Sequence, residues 1–270
     1  MRGDTGSANR LYNRSLLTES QRERIDVVLV SPRNPLNIGA VARAMANFGF
    51  ARLTVVAPYE PHWREARSAV GAPRLLADAR EAASLSEALR DCSLVLGTGT
   101  LTHRRPEQPV VRLDALAASI RSELDRGGRV AVVFGPEKHG LTRDDLSYCH
   151  LLVEIPTDPR QPSMNLGQAA AVILYELATR VDLNSGKHDP GGATQPSRHA
   201  PATASGDLDI LAGLIEEVMA AAKYSPKTMQ AANRHDLRVM LRRLHLNAAD
   251  SRRALGLFRR ILWRLKRDNP

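Results

Sequence analysis

Short apolar runs rich in β-branched residues alternate with segments of helical periodicity in the first part of the chain. The runs cover residues Ile25–Val30, 53–57, 93–97, Val130–Phe134 and 151–155. Between them, apolar residues recur at helical spacing over 38–48, 84–90 and 113–126. Strands that alternate with helices form a mostly parallel sheet covered on both faces. The sequence therefore predicts an α/β fold, in which ligands bind beyond the carboxyl ends of the strands.

The second part of the chain has a different composition. After a helix predicted at 166–181, residues 184–206 hold Gly, Pro, Ser, Thr and His and hardly an apolar side chain, as is typical of a flexible linker. Three further helices are predicted at 208–223, 229–244 and 249–266. We therefore expect a mobile N-terminal extension at 1–24, an α/β domain at 25–183, a linker at 184–206 and a small helical extension at 207–270.

Positive charge is concentrated near the C-terminus. The 270-residue chain has a net charge of +9 and a pI of about 10.1, which makes an anionic partner the first candidate and a merely soluble basic surface the alternative. Residues 223–267 carry 13 Lys and Arg against two acids, Asp236 and Asp250. An apolar stripe in the last helix predicts one buried face with guanidinium groups turned outward. RNA contact by these groups is favoured, and a solvated helix face is the alternative.

Several classes of function find no support in the sequence. Cys92 and Cys149 have neither metal-ligand spacing nor a disulfide framework, so we expect a reducing compartment and no required metal. No apolar run approaches the roughly 18 residues of a membrane span, and the polar N-terminus is unlike a signal peptide. These features predict a cytoplasmic protein. Residues 97–100 (GTGT) end a strand but lack the remainder of a dinucleotide or Walker motif.

One loop segment leads from the first strand into a helix. Residues 34–39 (NPLNIG) contain Asn37, which is the predicted N-cap of that helix. Arg43 lies about two turns further on, on the side opposite the apolar face, where it can point back over the loop. An ordinary capped helix with a surface arginine has the same pattern.

Two more loop segments contain candidate site residues. One follows the fourth predicted strand, Val130–Phe134, and the other leads into the helix predicted at 166–181. In residues 134–141 (FGPEKHGL), Gly135 and Gly140 permit positive φ, so several amides can point into one concavity, and Glu137 suits the orientation of a cationic partner. In residues 163–168 (SMNLGQ), Ser163 or Asn165 could cap the helix and contact a ligand as well. Each segment alone is also compatible with a purely structural turn or cap.

Taken together, the three segments resemble the motifs of the SpoU (TrmH-like) branch of the SPOUT RNA methyltransferases, over roughly residues 26–176. Residues 239–244 (VMLRRL) and the basic helix after them are similar to the C-terminal extension of the TrmJ type. The resemblance implies a sheet whose C-terminal part is threaded into a trefoil knot, a homodimer, and S-adenosylmethionine as cofactor. It further implies 2′-O-methylation of a cytidine or uridine ribose at nucleotide 32 of the tRNA anticodon loop. Methylation of rRNA and a non-catalytic RNA-binding role are the alternatives.

The resemblance also implies roles for individual residues. The expected catalytic residues are Arg43, Asn37, Glu137, Ser163 and Asn165. The expected cofactor contacts are Thr98, Gly99, Thr100, Gly135, Ile155, Pro162, Ser163 and Met164. Basic side chains expected to contact RNA are Arg104, Arg105, Arg242, Arg243, Arg259 and Arg260. Arg43 could act as a base or as a group that positions the ribose hydroxyl, and both roles remain open because an arginine normally stays protonated.

Overall fold

A seven-stranded sheet forms the centre of the computed structural model, which describes residues 17–66, 68–99, 106–180, 202–224 and 226–268. The strands are β1 Ile25–Val30, β2 Arg52–Val56, β3 Arg80–Ala82, β4 Leu94–Thr98, β5 Val110–Arg112, β6 Val130–Phe134 and β7 Leu151–Glu154. Their order is β3-β2-β1-β6-β4-β7-β5, and each neighbouring pair is parallel. The predicted parallel α/β fold is confirmed.

Helices cover both faces of the sheet and form the C-terminal extension. They are α1 Glu19–Arg22, α2 Pro35–Phe48, α3 Pro73–Ala77, α4 Leu85–Leu89, α5 Leu116–Asp125, α6 Arg143–Leu146, α7 Leu166–Thr179, α8 Ser205–Ala221, α9 Gln230–Arg243 and α10 Ala248–Asp268. Single turns of 3₁₀ helix occur at Trp63–Glu65, Leu113–Ala115 and Lys227–Met229. Across the described ranges, none of these helices has both the length and the apolar character needed to cross a membrane.

The position of β1 in the sheet explains why its sequence is a nearly continuous apolar run. Val27 and Leu29 belong to a cluster under α2, α5 and α7, whereas Val28 and Val30 belong to a second cluster under α4 on the other face. Both faces of the central strands are therefore buried, which is typical of a parallel sheet. The sequence did not predict β3 and β5, because these three-residue edge strands are largely exposed and contain no long apolar run.

Helices α2 and α7 pack closely, and this contact positions the loop segments 34–39 and 163–168 at their N-terminal ends. A Cβ atom on Gly167 would lie 2.7 Å from the Cβ atom of Ala40, so only glycine at this position permits the observed approach. The ring centroids of Phe48 and Tyr175 are 5.7 Å apart in an edge-to-face arrangement at the far end of the pair. The first turns of the two helices are thereby held side by side.

The C-terminal helices have a core of their own and also contact the α/β domain. Their apolar cluster contains Leu208, Leu211, Ala212, Ile215, Leu241 and Leu255. At the start of α8, the backbone N–H groups of Ser205 and Gly206 donate to the carbonyls of Cys92 (2.8 Å) and Arg90 (3.1 Å). The extension is thus joined to the domain by main-chain hydrogen bonds as well as by the chain itself.

Packed residues reach beyond the predicted domain limits on both sides. Leu17 and Arg22, which fall within the predicted N-terminal extension 1–24, are buried, so the packed domain begins no later than residue 17. Ala202 forms a β-bridge with Asn247 and Ser205 is fully buried, so the end of the predicted linker 184–206 belongs to the helical extension. Residues 1–16 and 181–201 lie outside the described ranges.

Candidate active site

Three side chains connect the three loop segments in one hydrogen-bonded network. Asn37 Nδ2 donates to Glu137 Oε1 at 2.9 Å, and Asn165 Nδ2 donates to Asn37 Oδ1 at 3.0 Å. Asn37 lies 100 residues from Glu137 and 128 residues from Asn165 in the chain. The three segments therefore meet at the carboxyl edge of the sheet, where the parallel fold predicts a ligand site.

Glu137 holds the loop after β1 in place. Its carboxylate accepts the backbone N–H groups of Arg33 (3.0 Å) and Asn34 (3.1 Å), in addition to the Asn37 amide. Burial alone would raise the pKa of Glu137, but these hydrogen bonds outweigh it and hold the pKa below its usual value of 4.5. Glu137 is thus an ionised acceptor of N–H groups from the loop after β1 and from Asn37.

The N-cap of α2 differs from the prediction. The cap is Asn34, whose Oδ1 accepts the N–H of Leu36 at 2.9 Å, and Pro35 is the first residue of the helix. The prediction of Asn37 as the cap is wrong, because Asn followed by Pro is the stronger start signal. Asn37 lies inside the first turn instead, and its side chain is free to join Glu137 to Asn165.

Asn165 provides the cap that the sequence suggested for the third segment, and it also contacts Asn37. Its Oδ1 accepts the N–H of Gly167 at 2.9 Å and caps α7, while its Nδ2 donates to Asn37. Ser163 is exposed and forms no hydrogen bond with another described residue. The cap is therefore Asn165, and the Ser163 hydroxyl remains available to a ligand.

Arg43 is exposed on α2, six residues after Asn37. A rise of about 1.5 Å per residue puts its Cα roughly 9 Å further along the helix axis. Within the described part of the chain its guanidinium has neither a hydrogen bond nor an ion pair. The side chain can therefore engage a phosphate or a sugar without first losing a partner.

The expected cofactor contacts follow three neighbouring strands. Gly135 follows β6, Thr98 ends β4 with Gly99 behind it, and Ile155 follows β7. Since β6, β4 and β7 are adjacent and parallel, these residues share one edge of the sheet. Pro162 and Met164 lie in the loop before α7, where the Pro162 carbonyl accepts the Thr157 hydroxyl at 3.1 Å. Thr100 lies outside the described residues.

Glycine is required at position 135 for a different reason from the predicted one. It is absent from the positive-φ positions, whereas Gly140 has φ +64°. A Cβ atom on Gly135 would lie 2.2 Å from the backbone nitrogen of Leu141, so the loop can close back on itself only over a glycine. Gly140 then completes the turn through its N–H, which donates to the Pro136 carbonyl at 2.9 Å.

The two cysteines do not supply a nucleophile. Burial, together with the neighbouring Asp26 carboxylate, raises the pKa of Cys92 to about 12. Burial likewise raises the pKa of Cys149 to about 12. A thiol with such a pKa is protonated at neutral pH, and covalent catalysis through a thiolate is not supported.

Arg242 is a structural residue, and its predicted RNA contact is wrong. It is 1% exposed, and its guanidinium donates to the Tyr148 carbonyl at 2.8 Å and to Asp209 Oδ1 at 2.9 Å. Its neighbour Arg238 lies over the Tyr148 ring at 4.3 Å and pairs with Asp144 at 2.9 Å. Both arginines therefore join α9 to the α/β domain.

The other basic residues of the extension keep the predicted exposure. Arg243, Arg259 and Arg260 are exposed on α9 and α10, so all three are accessible to RNA. Arg104 and Arg105 lie outside the described residues. Sequence reasoning missed Trp263, which is 48% exposed on α10 beside Arg260. The signal available in the sequence was a tryptophan within a run of arginines on an amphipathic helix.

Comparison with known proteins decides the family. A model of the SpoU rRNA Methylase family matches residues 24–175. The chain is also 32% identical over 256 residues to the tRNA (cytidine/uridine-2′-O-)-methyltransferase TrmJ of Salmonella typhimurium, which covers 92% of this chain and 98% of that relative. The chain belongs to the SpoU methylase family. The predicted relationship to TrmJ-type SpoU proteins is confirmed.

Further SpoU relatives agree with this assignment. The chain is 42% identical over 156 residues to the tRNA (cytidine/uridine/adenosine-2′-O-)-methyltransferase TrmJ of Pseudomonas aeruginosa, and this match spans 57% of the chain and 60% of that relative. The crystal structure of TrmJ from Z. mobilis superposes with a TM-score of 0.73 at 28% identity, over 87% of this chain and 98% of the other. A probable methyltransferase from Bordetella pertussis has a TM-score of 0.55 at 31% identity, over 60% and 98% of the two chains.

Proposed function

We propose that the protein is an S-adenosylmethionine-dependent tRNA ribose 2′-O-methyltransferase that modifies nucleotide 32 of the anticodon loop, at cytidine or uridine. The observation that carries the proposal is the Asn37–Glu137–Asn165 network, which joins the three family motifs at one sheet edge. The relatives that match nearly the whole chain are named tRNA 2′-O-methyltransferases, which favours tRNA over the rRNA in the family's name. Since tRNA is the substrate, we place the protein in the cytoplasm.

The strand-end residues fit a methyl donor of this kind. Apart from its chain neighbours, none of the described residues has an atom within 4 Å of where a Cβ on Gly99 would lie, so these residues leave room beside the backbone after β4, next to the ends of β6 and β7. We assign Thr98, Gly99, Gly135, Ile155 and the loop 162–164 to the cofactor, which supplies an electrophilic methyl group when bound. Main-chain groups and small side chains can surround a flat nucleoside closely without a charged partner.

Arg43 serves as the positioning group for the target ribose in this proposal. A guanidinium stays protonated and presents a planar fork of donors, which suits two phosphate oxygens or a phosphate and the 2′-oxygen. Alignment of the hydroxyl with the methyl group supplies much of the rate in such transfers. Glu137 is ionised and already accepts three N–H groups, so it maintains the loop and is a poor base for the hydroxyl proton.

We further propose the homodimer and the trefoil knot that the family resemblance implies. Supporting the dimer, Leu36 is 55% exposed and Tyr175 is 54% exposed on the packed pair of helices α2 and α7. Supporting the knot, β7 lies between β4 and β5, so the chain enters the sheet between two strands that were formed earlier in the sequence. Sedimentation of the purified protein tests the dimer, and a monomer at micromolar concentration would contradict it.

The decisive test is a methylation assay with defined substrates. Purified protein, S-adenosylmethionine and unmodified tRNA are incubated, and 2′-O-methylated positions are mapped by mass spectrometry of the digested RNA. We expect a single new methyl group at nucleotide 32, and none on an rRNA transcript supplied in parallel. Methylation of the rRNA alone would favour the alternative substrate. Binding of RNA without methylation of either, with no calorimetric signal for the cofactor, would favour the non-catalytic role.

A further inference from the structure

The exposed face of α10 carries an aromatic side chain between two arginines. Trp263 is 48% exposed, whereas Trp63, the other tryptophan of the chain, is fully buried. The guanidinium carbons of Arg260 and Arg267 lie 4.6 Å and 5.2 Å from the Trp263 ring centroid. These arginines occupy positions i−3 and i+4 relative to the tryptophan, so they are its neighbours along one helix surface.

The opposite face of α10 is already committed to packing. Leu255 and Leu262 are each 8% exposed and belong to the side of the helix that faces α8. The burial of these two leucines sets the rotation of α10 about its axis, and Lys266 pairs with Glu217 of α8 at the surface, at 3.1 Å. Trp263 therefore cannot turn inward without exposing the leucines, and its ring stays at the surface.

The charge around Trp263 indicates the chemistry of its partner. Residues 248–268 contain seven basic residues and two acids, Asp250 and Asp268. Among the described residues, Arg259, Arg260 and Arg267 have no carboxylate partner. An apolar protein partner would have to desolvate these cations, whereas a nucleic acid supplies phosphates for them and a flat base for the indole.

We infer that Trp263 stacks on an unpaired base of the tRNA, while Arg260 and Arg267 turn from the ring to the flanking phosphates. This inference rests on the proposed function, since it takes tRNA to be the substrate, and it adds a base contact that the phosphate-binding arginines alone would not supply. An arginine over an exposed ring is held weakly, so it is easily exchanged for a phosphate. Stacking requires an unpaired base, which the anticodon loop offers and a continuous duplex does not.

The experiment measures binding to two RNAs in the absence of methyl donor: an anticodon stem-loop and a duplex of the same length. Trp263→Ala is expected to weaken stem-loop binding about tenfold and to leave duplex binding within about twofold. Trp263→Phe, which keeps a stacking ring, should retain most of the affinity. The matched control is Leu257→Ala, because Leu257 is a large exposed apolar residue (59%) on the same helix, six residues before Trp263.

Two further readouts separate stacking from a charge effect. Trp263→Ala should leave the slope of log K against log salt unchanged, whereas Arg259→Ala should reduce it by about one. Tryptophan fluorescence should change when stem-loop is added to the wild type, and this change should vanish in Trp263→Phe, because the buried Trp63 is shielded from RNA.

Other outcomes overturn the inference. These are unchanged stem-loop affinity in Trp263→Ala, an equal loss for both RNAs, or a change in the association state without a change in RNA binding, which would make the patch a protein contact. Because no methyl donor is present, the result is independent of catalysis. Stacking with no methylation of tRNA would refute the proposed function alone, and methylation with no effect of Trp263→Ala would refute the stacking alone.

Discussion

Arg43 and Arg242 show how the same side chain takes opposite roles in two regions of the molecule. At the strand-end site, Arg43 is exposed and has no partner among the described residues. At the junction between the α/β domain and the extension, Arg242 is 1% exposed and its guanidinium donates to a carbonyl and a carboxylate. The first arginine is available to a substrate, and the second forms its hydrogen bonds inside the protein. A count of basic residues cannot distinguish them, but burial and partners can.

The largest effect is expected at Arg43. Arg43→Ala should lower the single-turnover rate of tRNA methylation about thousandfold, because it removes a donor that engages the reacting ribose or its phosphate. The free energy of unfolding should change by no more than about 0.5 kcal/mol, since the side chain is exposed. Arg43→Lys keeps the charge and loses the planar fork, and full activity in this variant would contradict a role that depends on fork geometry.

The next largest effect is expected at Arg242, on stability. Arg242→Met should lower the free energy of unfolding by about 3 kcal/mol, because it removes the donor to Asp209 Oδ1 and to the Tyr148 carbonyl. Urea denaturation followed by circular dichroism measures the change.

The neighbouring Arg243→Ala is the matched control for this variant. It should cost less than about 0.5 kcal/mol and should instead lower the salt dependence of tRNA binding. Equal destabilisation by the two variants would remove the distinction between a buried and an exposed arginine on α9.

A smaller effect is expected at Asn165, and it separates its two hydrogen bonds. Asn165→Asp keeps an oxygen for the Gly167 N–H and loses the donor to Asn37, whereas Asn165→Ala loses both. The alanine variant should lose about 1 kcal/mol of stability through the cap, and the aspartate variant clearly less. Both should methylate more slowly if the network aligns the site. Full activity in Asn165→Asp would show that the contact with Asn37 is dispensable.

The last prediction concerns how stability near the junction between the α/β domain and the extension depends on pH, and at neutral pH its effect vanishes. His150 is buried beside Arg242, and its Nδ1 accepts the Val95 N–H at 3.1 Å. Burial, with Arg242 and His245 nearby, holds the pKa of His150 well below 6.5. Below pH 6.5 the unfolded chain binds a proton that the folded protein excludes, so stability is highest above that pH and decreases as the pH falls.

One such proton gives a slope of at most about 1.4 kcal/mol per pH unit, measurable by urea denaturation at several pH values. In His150→Asn the slope between pH 6.5 and 5 should become shallower. An unchanged slope would place its origin in other groups.

The central strands of the sheet were predictable from the sequence, whereas the edge strands were not. Strands β1, β4 and β6 are buried on both faces, so their apolar runs are unbroken and easy to recognise. The edge strands β3 and β5 are short and exposed, and they exist only because a neighbouring strand supplies their hydrogen bonds. Long-range pairing of this kind leaves no local signal.

Three of the expected site residues lie together in the structure, whereas their individual contacts were not predictable. The resemblance of the three segments to the SpoU motifs led to Asn37, Glu137 and Asn165, and the structure joins these three by hydrogen bonds. The partners of Glu137 are backbone amides 103 and 104 residues away, which no residue type identifies. Arg242 was taken for a surface cation because its burial depends on Tyr148 and Asp209, which lie in separate elements of the chain.

The main-chain and arginine contacts at the junction have a consequence for substrate choice. Because Ser205, Gly206 and Arg242 hold the extension to the domain, the span from α10 to the strand ends is set by the protein. Under the proposed function, an RNA that lies across both surfaces brings a ribose to Arg43 at one particular distance from its other point of attachment. The protein would then select the target nucleotide by its distance from that point, even without recognising the base that reacts.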